Sequence, residues 1–212
     1  MLMNMKIIKE LEDLQGEMQE WRRDIHAHPE IAFEEHRTAQ IVADKLESFG
    51  IEVETGIAGT GVVGTLRKGM GNRSIGLRAD LDALLINETN DFEYKSKNPG
   101  QMHACGHDGH TTMLLGAAKY LSEQGNFDGT VNFIFQPAEE NEGGGRVMIE
   151  DGLFDKYPVE SVYGMHNIPG MPVGSFAIKP GPIMAAFDIF NLKVIGRGGH
   201  AAMPQTTVDP II

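Results

Sequence analysis

The chain of 212 residues has one cysteine, one tryptophan and no long apolar run. A single cysteine excludes an internal disulfide, so Cys105 is a buried small side chain, a thiolate ligand or a nucleophile. Basic charge is also scarce, because 18 Lys and Arg face 30 Asp and Glu, giving a formal net charge of −12. Nucleic-acid binding depends on clustered Lys and Arg, and this balance argues against such a partner.

The amino terminus lacks the features of a secretory signal. Residues Met1–Glu10 contain neither an uninterrupted apolar core nor a small-residue cleavage site. The remaining composition, 41% hydrophobic and 23% charged, is that of a globular protein without a membrane span. We therefore expect a soluble, cytoplasmic protein.

Helical and strand-like patterns alternate along the chain. Apolar residues at helical spacing predict three helices, over about Ile8–Ile25, Glu34–Phe49 and Thr111–Gln124. Short β-rich runs between Gly-rich turns predict four strands, at Ile51–Glu54, Gly61–Leu66, Ser74–Ala79 and Thr130–Phe135. This alternation favours an α/β sandwich with a mixed, mostly parallel sheet.

The amino-acid composition changes after Gly164. Proline and glycine become frequent, and Phe187–Gly196 then alternates like a half-buried strand. We place a domain boundary near residue 185, which gives a first domain over 1–185 and the beginning of a second over 186–212.

The sole cysteine lies among histidines. Cys105 and His107 are separated only by Gly106, so an irregular loop can turn both side chains toward one point. A soft thiolate and imidazoles at short spacing suit a divalent transition metal. His110 could share a helix face with His107, but a histidine that bonds the backbone is an equal alternative. We leave His110 out of the expected ligand set.

Further ligand types follow apolar segments. Glu139 and Glu140 come after the strand at Thr130–Phe135, and His166 follows another short apolar run. Sites in α/β proteins gather at the carboxyl ends of strands. A hydrolytic metal site needs one carboxylate to bind metal and another to accept a proton from water, and adjacent glutamates can divide these roles. A solvated acidic pair is the alternative.

Asp80 and Asp82 follow another predicted strand. Alternate residues of an extended chain point the same way, so both could enter the cleft. Turn chemistry is the alternative for such a pair. The surrounding site favours Asp82 as the residue that orients a ligand imidazole.

Six segments together resemble the M20 metallopeptidase family, in its amidohydrolase branch of hippurate hydrolases, N-acyl-amino-acid amidohydrolases and auxin-conjugate hydrolases. They are Arg23–Glu30, Leu77–Leu84, His103–His110, Gln136–Glu140, Gly164–Asn167 and Gly196–Pro204. The resemblance implies two divalent ions, Zn or Mn. It implies as their ligands Cys105, His107, Glu140 and His166, with Glu139 as general base.

The resemblance also implies a reaction. A metal-bound water would attack the amide carbonyl of an N-acyl amino acid, acetyl, benzoyl or similar, and Glu139 would pass the proton to the leaving amine. Residues 186–212 would begin a smaller α+β lid or dimerisation domain. His200, in that domain, would reach the partner subunit's active site in a homodimer and stabilise the oxyanion.

Two alternatives to this function stay open: a di-metal aminopeptidase or dipeptidase of the same fold, and a metal-binding module without catalysis. Members of the family that this chain resembles are nearly twice its length, and their later segment carries a final histidine ligand. We therefore expect the 212 residues alone to hold an incomplete metal site, with weak or absent turnover.

Overall fold

Three helices precede the first strand in the computed structural model, which describes residues 7–186 and 188–212. They are α1 (Lys9–Asp13), α2 (Gln15–Ala27) and α3 (His36–Ser48). The first predicted helix is therefore two helices that meet at Leu14. Helix α2 ends before Pro29, because proline disfavours helical geometry in the residue before it.

The strands form one mixed sheet. Its members are β1 (Glu52–Ile57), β2 (Gly61–Lys68), β3 (Ser74–Asp80), β4 (Gly129–Gln136) and β5 (Ser161–Gly164), in the order β1-β2-β4-β3-β5. Strand β3 runs parallel to β4 and β5, whereas β2 runs antiparallel to β1 and β4. The α/β class with a mixed sheet is confirmed.

The predicted sheet was mostly parallel, but two of its four strand pairs are parallel and two are antiparallel. The connection between β1 and β2 explains the difference. Only residues 58–60 separate these strands, and a parallel crossover needs a dozen residues or more. The short turn therefore forces an antiparallel hairpin, with Ala58 at φ +52° and Gly59 at φ +86°.

Helix α4 (His107–Gln124) lies between β3 and β4 in the chain and begins four residues before the predicted Thr111. Gly106 adopts φ +96° at its N-terminal boundary, a conformation that glycine reaches without strain. The helix can therefore begin at His107 itself. Two short helices that the pattern did not predict, α5 (Gly144–Glu150) and α6 (Leu153–Lys156), follow β4.

The main core lies between the sheet and helices α3 and α4. It includes the fully buried side chains of Val42, Leu46, Leu115, Phe133 and Phe135. A smaller cluster on the other face of β4 joins Ile134 to Met148 and Leu153. Strand β4 is thus covered on both faces, as the central strands of α/β sheets are. Its carboxyl end is a rigid place from which to present side chains.

The chain divides into two units, one ending at Ile168 and the other comprising Pro169–Ile212. The predicted strand at 187–196 is not found: Phe187 lies outside the described residues, and 188–196 form no strand. Phe190 and Leu192 are 88% and 85% exposed. Alternation alone does not stabilise a strand that lacks partners and a covered face. The second unit contains a short 3-10 helix at Pro204–Thr206, and the assignment of 186–212 to a lid domain stays a prediction.

Among the described residues, no helix combines the length and the apolar character that crossing a bilayer requires.

Candidate metal centre

The carboxyl ends of the three parallel strands lie at one edge of the sheet. Asp80 ends β3, Glu139 and Glu140 follow β4, and His166 follows β5. The first residue of α4, His107, lies at the same edge. The structure therefore gathers here the residues that the strand-end rule pointed to.

His107 is at the centre of this cluster and has no exposed surface. Its Nε2 atom lies 3.6 Å from Asp80 Oδ2, 3.7 Å from Glu140 Oε1 and 3.8 Å from Glu139 Oε2. None of these separations is a hydrogen bond. Both His107 Nε2 and Glu140 Oε1 are buried without any partner. Such orphaned polar atoms are costly and need an explanation.

Asp82 orients both of those residues. His107 Nδ1 lies 2.9 Å from the Asp82 carbonyl oxygen and 3.2 Å from Asp82 Oδ1. Because both neighbours are acceptors, Nδ1 carries the proton, and the lone pair of Nε2 points into the cluster. Asp82 Oδ2 accepts the backbone N–H of Glu140 at 2.9 Å. Burial opposes ionisation of Asp82, but these hydrogen bonds outweigh it and lower its pKa.

Cys105 and His166 form the more open side of the centre. Cys105 Sγ lies 3.4 Å from His166 Nε2. The other ring nitrogen, Nδ1, donates to the carbonyl of Asn167 at 2.7 Å. The lone pair of Nε2 is therefore available to a metal ion. Burial first, and then the nearby carboxylates led by Glu140, raise the pKa of the Cys105 thiol to about 12. Thiolate forms there when a cation balances the charge.

The two glutamates differ in depth. The side chain of Glu140 is 17% exposed, and that of Glu139 is 38% exposed. Burial is the main cause of the raised pKa of Glu139. Glu140 is therefore the inner carboxylate, and Glu139 is the one that can meet a molecule entering from solvent.

These donors fit a divalent transition metal. The ligand atoms of Cys105, His107 and His166 lie within 4.8 Å of one another, and so do those of His107, Glu139 and Glu140. Sulfur, imidazole nitrogen and carboxylate oxygen are ligands that Zn and related ions accept. A cation among them would also give partners to the orphaned atoms of His107 and Glu140.

Asp80, His110 and Asn167 were not among the site residues expected from the sequence. His110 Nδ1 lies 2.6 Å from Asp80 Oδ1, and its Nε2 lies 2.5 Å from Asn167 Oδ1 and 3.1 Å from the backbone nitrogen of Asn167. Both nitrogens of His110 are thus occupied, although Asp80, His107 and His110 also lie within ligand distance. Arg78 Nη1 donates to Asp80 at 2.7 Å. Burial opposes ionisation of Asp80, but His110 and Arg78 hold its pKa far below the usual range.

Gly106 is required by the local packing. A β-carbon at this position would lie 2.3 Å from the Asn167 side-chain oxygen, and φ is +96°. The spacing of Cys105 and His107 signals a turn in sequence, but the close approach of Asn167 is visible only in the fold.

A second polar cluster anchors the beginning of α4 behind the centre. Asp108 Oδ2 accepts from Arg22 Nε at 3.0 Å and lies 2.9 Å from His26 Nδ1. The other ring nitrogen of His26 lies 3.1 Å from Glu88 Oε1. Buried His103 is beside them, and burial lowers its pKa to about 4. The histidine-rich motif alone does not reveal that its members divide between two clusters.

His200 belongs to the second unit. It is exposed, and its Nδ1 accepts the backbone N–H of Ala202 at 3.1 Å. Its role at a partner's active site, and the homodimer itself, stay predictions.

Comparisons with known proteins agree with the family resemblance. Hippurate hydrolase of Campylobacter jejuni is 53% identical over 98% of this chain and 54% of its own length. N-acyl-L-amino acid amidohydrolase of Geobacillus stearothermophilus is 47% identical over 90% of this chain and 52% of its own length. A crystal structure from Bacillus subtilis, of a dinuclear metal-binding M20 peptidase, has TM-score 0.76 at 39% identity. It covers 81% of this chain and 48% of that one.

The chain thus spans about half the length of the relatives it matches. The profile of Peptidase family M20/M25/M40 matches residues 76–210, a range that includes the Cys105–His107 turn, the glutamate pair and His166. This match shows that the chain belongs to peptidase family M20/M25/M40.

Proposed function

We propose that the protein containing this chain is a metal-dependent amidohydrolase that cleaves the amide bond of N-acyl amino acids. The observation that carries the proposal is the pair of buried, unpartnered atoms, His107 Nε2 and Glu140 Oε1, 3.7 Å apart. A second carboxylate, Glu139, lies on the more exposed side of that pair. This is the division between ligand and base that metal-assisted hydrolysis needs.

Four residues would hold two divalent ions: Cys105, His107, Glu140 and His166. The thiolate of Cys105 favours Zn, and the carboxylate of Glu140 also permits Mn. When bound, such ions polarise an amide carbonyl and make a water molecule more acidic.

Glu139 would act as the general base. Its carboxylate would take a proton from the water as the water oxygen bonds to the amide carbon. As the C–N bond breaks, Glu139 would return that proton to the leaving amine nitrogen. Asp82 would hold His107 and Glu140 in place during these transfers.

The substrate class is supported by the names of two similar proteins, a hippurate hydrolase and an N-acyl-L-amino acid amidohydrolase. Both names imply an acylated amino acid with a free carboxylate. The similar Bacillus subtilis structure is of a peptidase, so an aminopeptidase or dipeptidase is the second candidate. The two differ in whether the substrate needs a free α-amine.

One set of assays tests the proposal. The natural gene product that contains this chain is loaded with Zn²⁺ or Mn²⁺ and offered N-acetyl and N-benzoyl amino acids beside unblocked dipeptides. We expect hydrolysis of the acylated compounds. Hydrolysis of dipeptides alone would support the peptidase instead.

Paired variants separate the enzyme from a metal-binding module. Glu139→Gln should keep the metal and lose hydrolysis by about 100-fold or more, since general bases contribute on that order. Glu140→Gln should lose metal affinity. Unchanged turnover in Glu139→Gln would remove Glu139 from the proposed role.

A further inference from the structure

We propose that Glu35 is a positioning residue whose buried carboxylate fixes the turn that carries Glu139 and Glu140. This turn comprises residues 137–143, between β4 and α5, and is called the glutamate turn below. The inference rests on the proposed function for the role of Glu139, but its geometry is independent of that function.

Glu35 joins three segments that are distant in sequence. It precedes α3 and has no exposed surface. Its Oε1 accepts the backbone N–H of Ala138 at 2.8 Å, and its Oε2 accepts the hydroxyl of Thr60 at 2.5 Å. Thr60 is in the β1–β2 turn, and Ala138 directly precedes Glu139. Neither donor is a cation, and burial raises the pKa of Glu35 although the hydrogen bonds from Thr60 and Ala138 oppose the shift.

The backbone is strained where these segments meet. In the described part of the chain, positive φ outside glycine occurs at Phe33 (+60°), Ala58 (+52°) and Ala138 (+51°). Phe33 is two residues before Glu35, Ala58 is two residues before Thr60, and Ala138 is bonded to Glu35 itself. Such conformations persist only where surrounding contacts over-determine them, and they cluster at functional sites. The Glu35 carboxylate supplies one of those contacts at Ala138.

A second carboxylate holds the glutamate turn on the other side of Glu139. Asp82 Oδ2 accepts the N–H of Glu140 at 2.9 Å, as Glu35 does for Ala138. The turn closes through Gly144, whose N–H donates to the Ala138 carbonyl at 2.9 Å. Glu139 thus lies between two backbone amides that are each fixed by a buried carboxylate. Removing either anchor leaves the direction of the Glu139 side chain less defined.

The role depends on the acceptor oxygen at Glu35. Glu35→Ala leaves the N–H of Ala138 buried and without its partner. Glu35→Gln keeps an oxygen for Ala138 and offers an amide N–H to the Thr60 oxygen, so it should preserve most of the anchor. A matched control is Leu46→Ala, which removes a fully buried side chain from the main core and destabilises the fold without contacting the glutamate turn.

The first readout is local and needs no activity. Amide hydrogen exchange is measured by NMR at Ala138 in these variants, with denaturant adjusted so that Glu35→Ala and Leu46→Ala have equal global stability. Loss of this buried hydrogen bond should speed exchange at Ala138 by about 10- to 100-fold in Glu35→Ala relative to Leu46→Ala. Glu35→Gln should stay within about threefold of wild type.

The second readout is kinetic. In the metal-loaded natural gene product, Glu35→Ala should lower kcat by about 10- to 100-fold, with KM within about twofold, because a displaced base costs rate more than binding. Glu35→Gln should restore most of kcat. Equal Ala138 exchange in Glu35→Ala and Leu46→Ala, or equal loss of kcat in both, would overturn the proposal. If exchange responds while wild type hydrolyses no N-acyl amino acid, the proposed function fails and the anchoring of the turn stands.

Discussion

The Nδ1 atom of His107 is bound to Asp82 twice, through the carbonyl oxygen at 2.9 Å and through Oδ1 at 3.2 Å. One aspartate therefore sets both the tautomer and the ring direction of the central imidazole. Its remaining oxygen holds the amide of Glu140. A single residue thus orients both His107 and Glu140.

Replacing Asp82 should weaken metal binding without removing a ligand. Asp82→Asn keeps an oxygen for one partner but places an N–H where the other partner also donates. We expect metal affinity to fall by about 10- to 100-fold, as for other partners of ligand histidines. Isothermal titration with Zn²⁺ or Mn²⁺ measures this. Asp128→Asn is the control, since Asp128 also accepts backbone amides, from Met70 and Gly71 in an exposed turn. Equal losses in both variants would contradict the orienting role.

Two glycines near the metal centre should respond in opposite ways to alanine. At Gly106 a β-carbon would lie 2.3 Å from the side chain of Asn167, with φ at +96°. Gly106→Ala should destabilise the fold by about 1–3 kcal/mol and reduce metal affinity. Gly109, in α4, has no atom within 4 Å of an added β-carbon. Gly109→Ala should stabilise by about 0.5–1 kcal/mol. Urea unfolding measures both, and a neutral Gly106→Ala would show that Asn167 moves aside.

Most parts of the site that sequence could predict share one feature, which is their place at strand ends. Glu139, Glu140 and His166 could be grouped because parallel strands deliver their carboxyl ends to one edge, and Cys105 and His107 could be added because their spacing signals a metal-binding turn before a helix. Their roles as ligands and base stay predictions. The sequence pattern was equally informative for α3 and β4, whose periodicity is clear.

Glu35 could not be found in this way. It lies in a charged run, Glu34–Arg37, that resembles a solvated helix start, and its partners Thr60 and Ala138 come from distant segments. The predicted strand at 187–196 failed for a related reason. Alternation describes which face would be apolar, but not whether another element covers it.

Cys105 should determine the preference between metals. Cys105→Ser replaces a soft donor with a hard one in a site whose other donors are imidazole and carboxylate. Zn²⁺ affinity should therefore fall by about tenfold more than Mn²⁺ affinity. Competition titrations with a chelator measure both constants. Met148→Leu, a substitution in the smaller core cluster, is the control and should change neither. Equal weakening for the two ions would indicate that the sulfur is not a ligand.

His26 should make stability depend on pH. Its hydrogen bond with Asp108 raises its pKa above the ordinary value of 6.5, burial opposes the shift, and Glu88 adds to it. Because the folded-state pKa is raised, the contribution of His26 is complete below about pH 6.5 and is lost as pH rises through the folded-state value. His26→Gln should therefore lower the free energy of unfolding more at about pH 5.5 than at about pH 9.

Urea unfolding of wild type and His26→Gln at the two pH values measures this difference. Glu88→Gln provides an internal check, because it removes one of the two carboxylates that bind the ring while leaving Asp108 in place. The pKa of His26, measured by NMR titration, should then be lower than in wild type, because one carboxylate that favours the charged ring is gone. If His26→Gln costs the same at both pH values, folding does not raise the pKa of His26, and its two carboxylate contacts do not favour the charged ring.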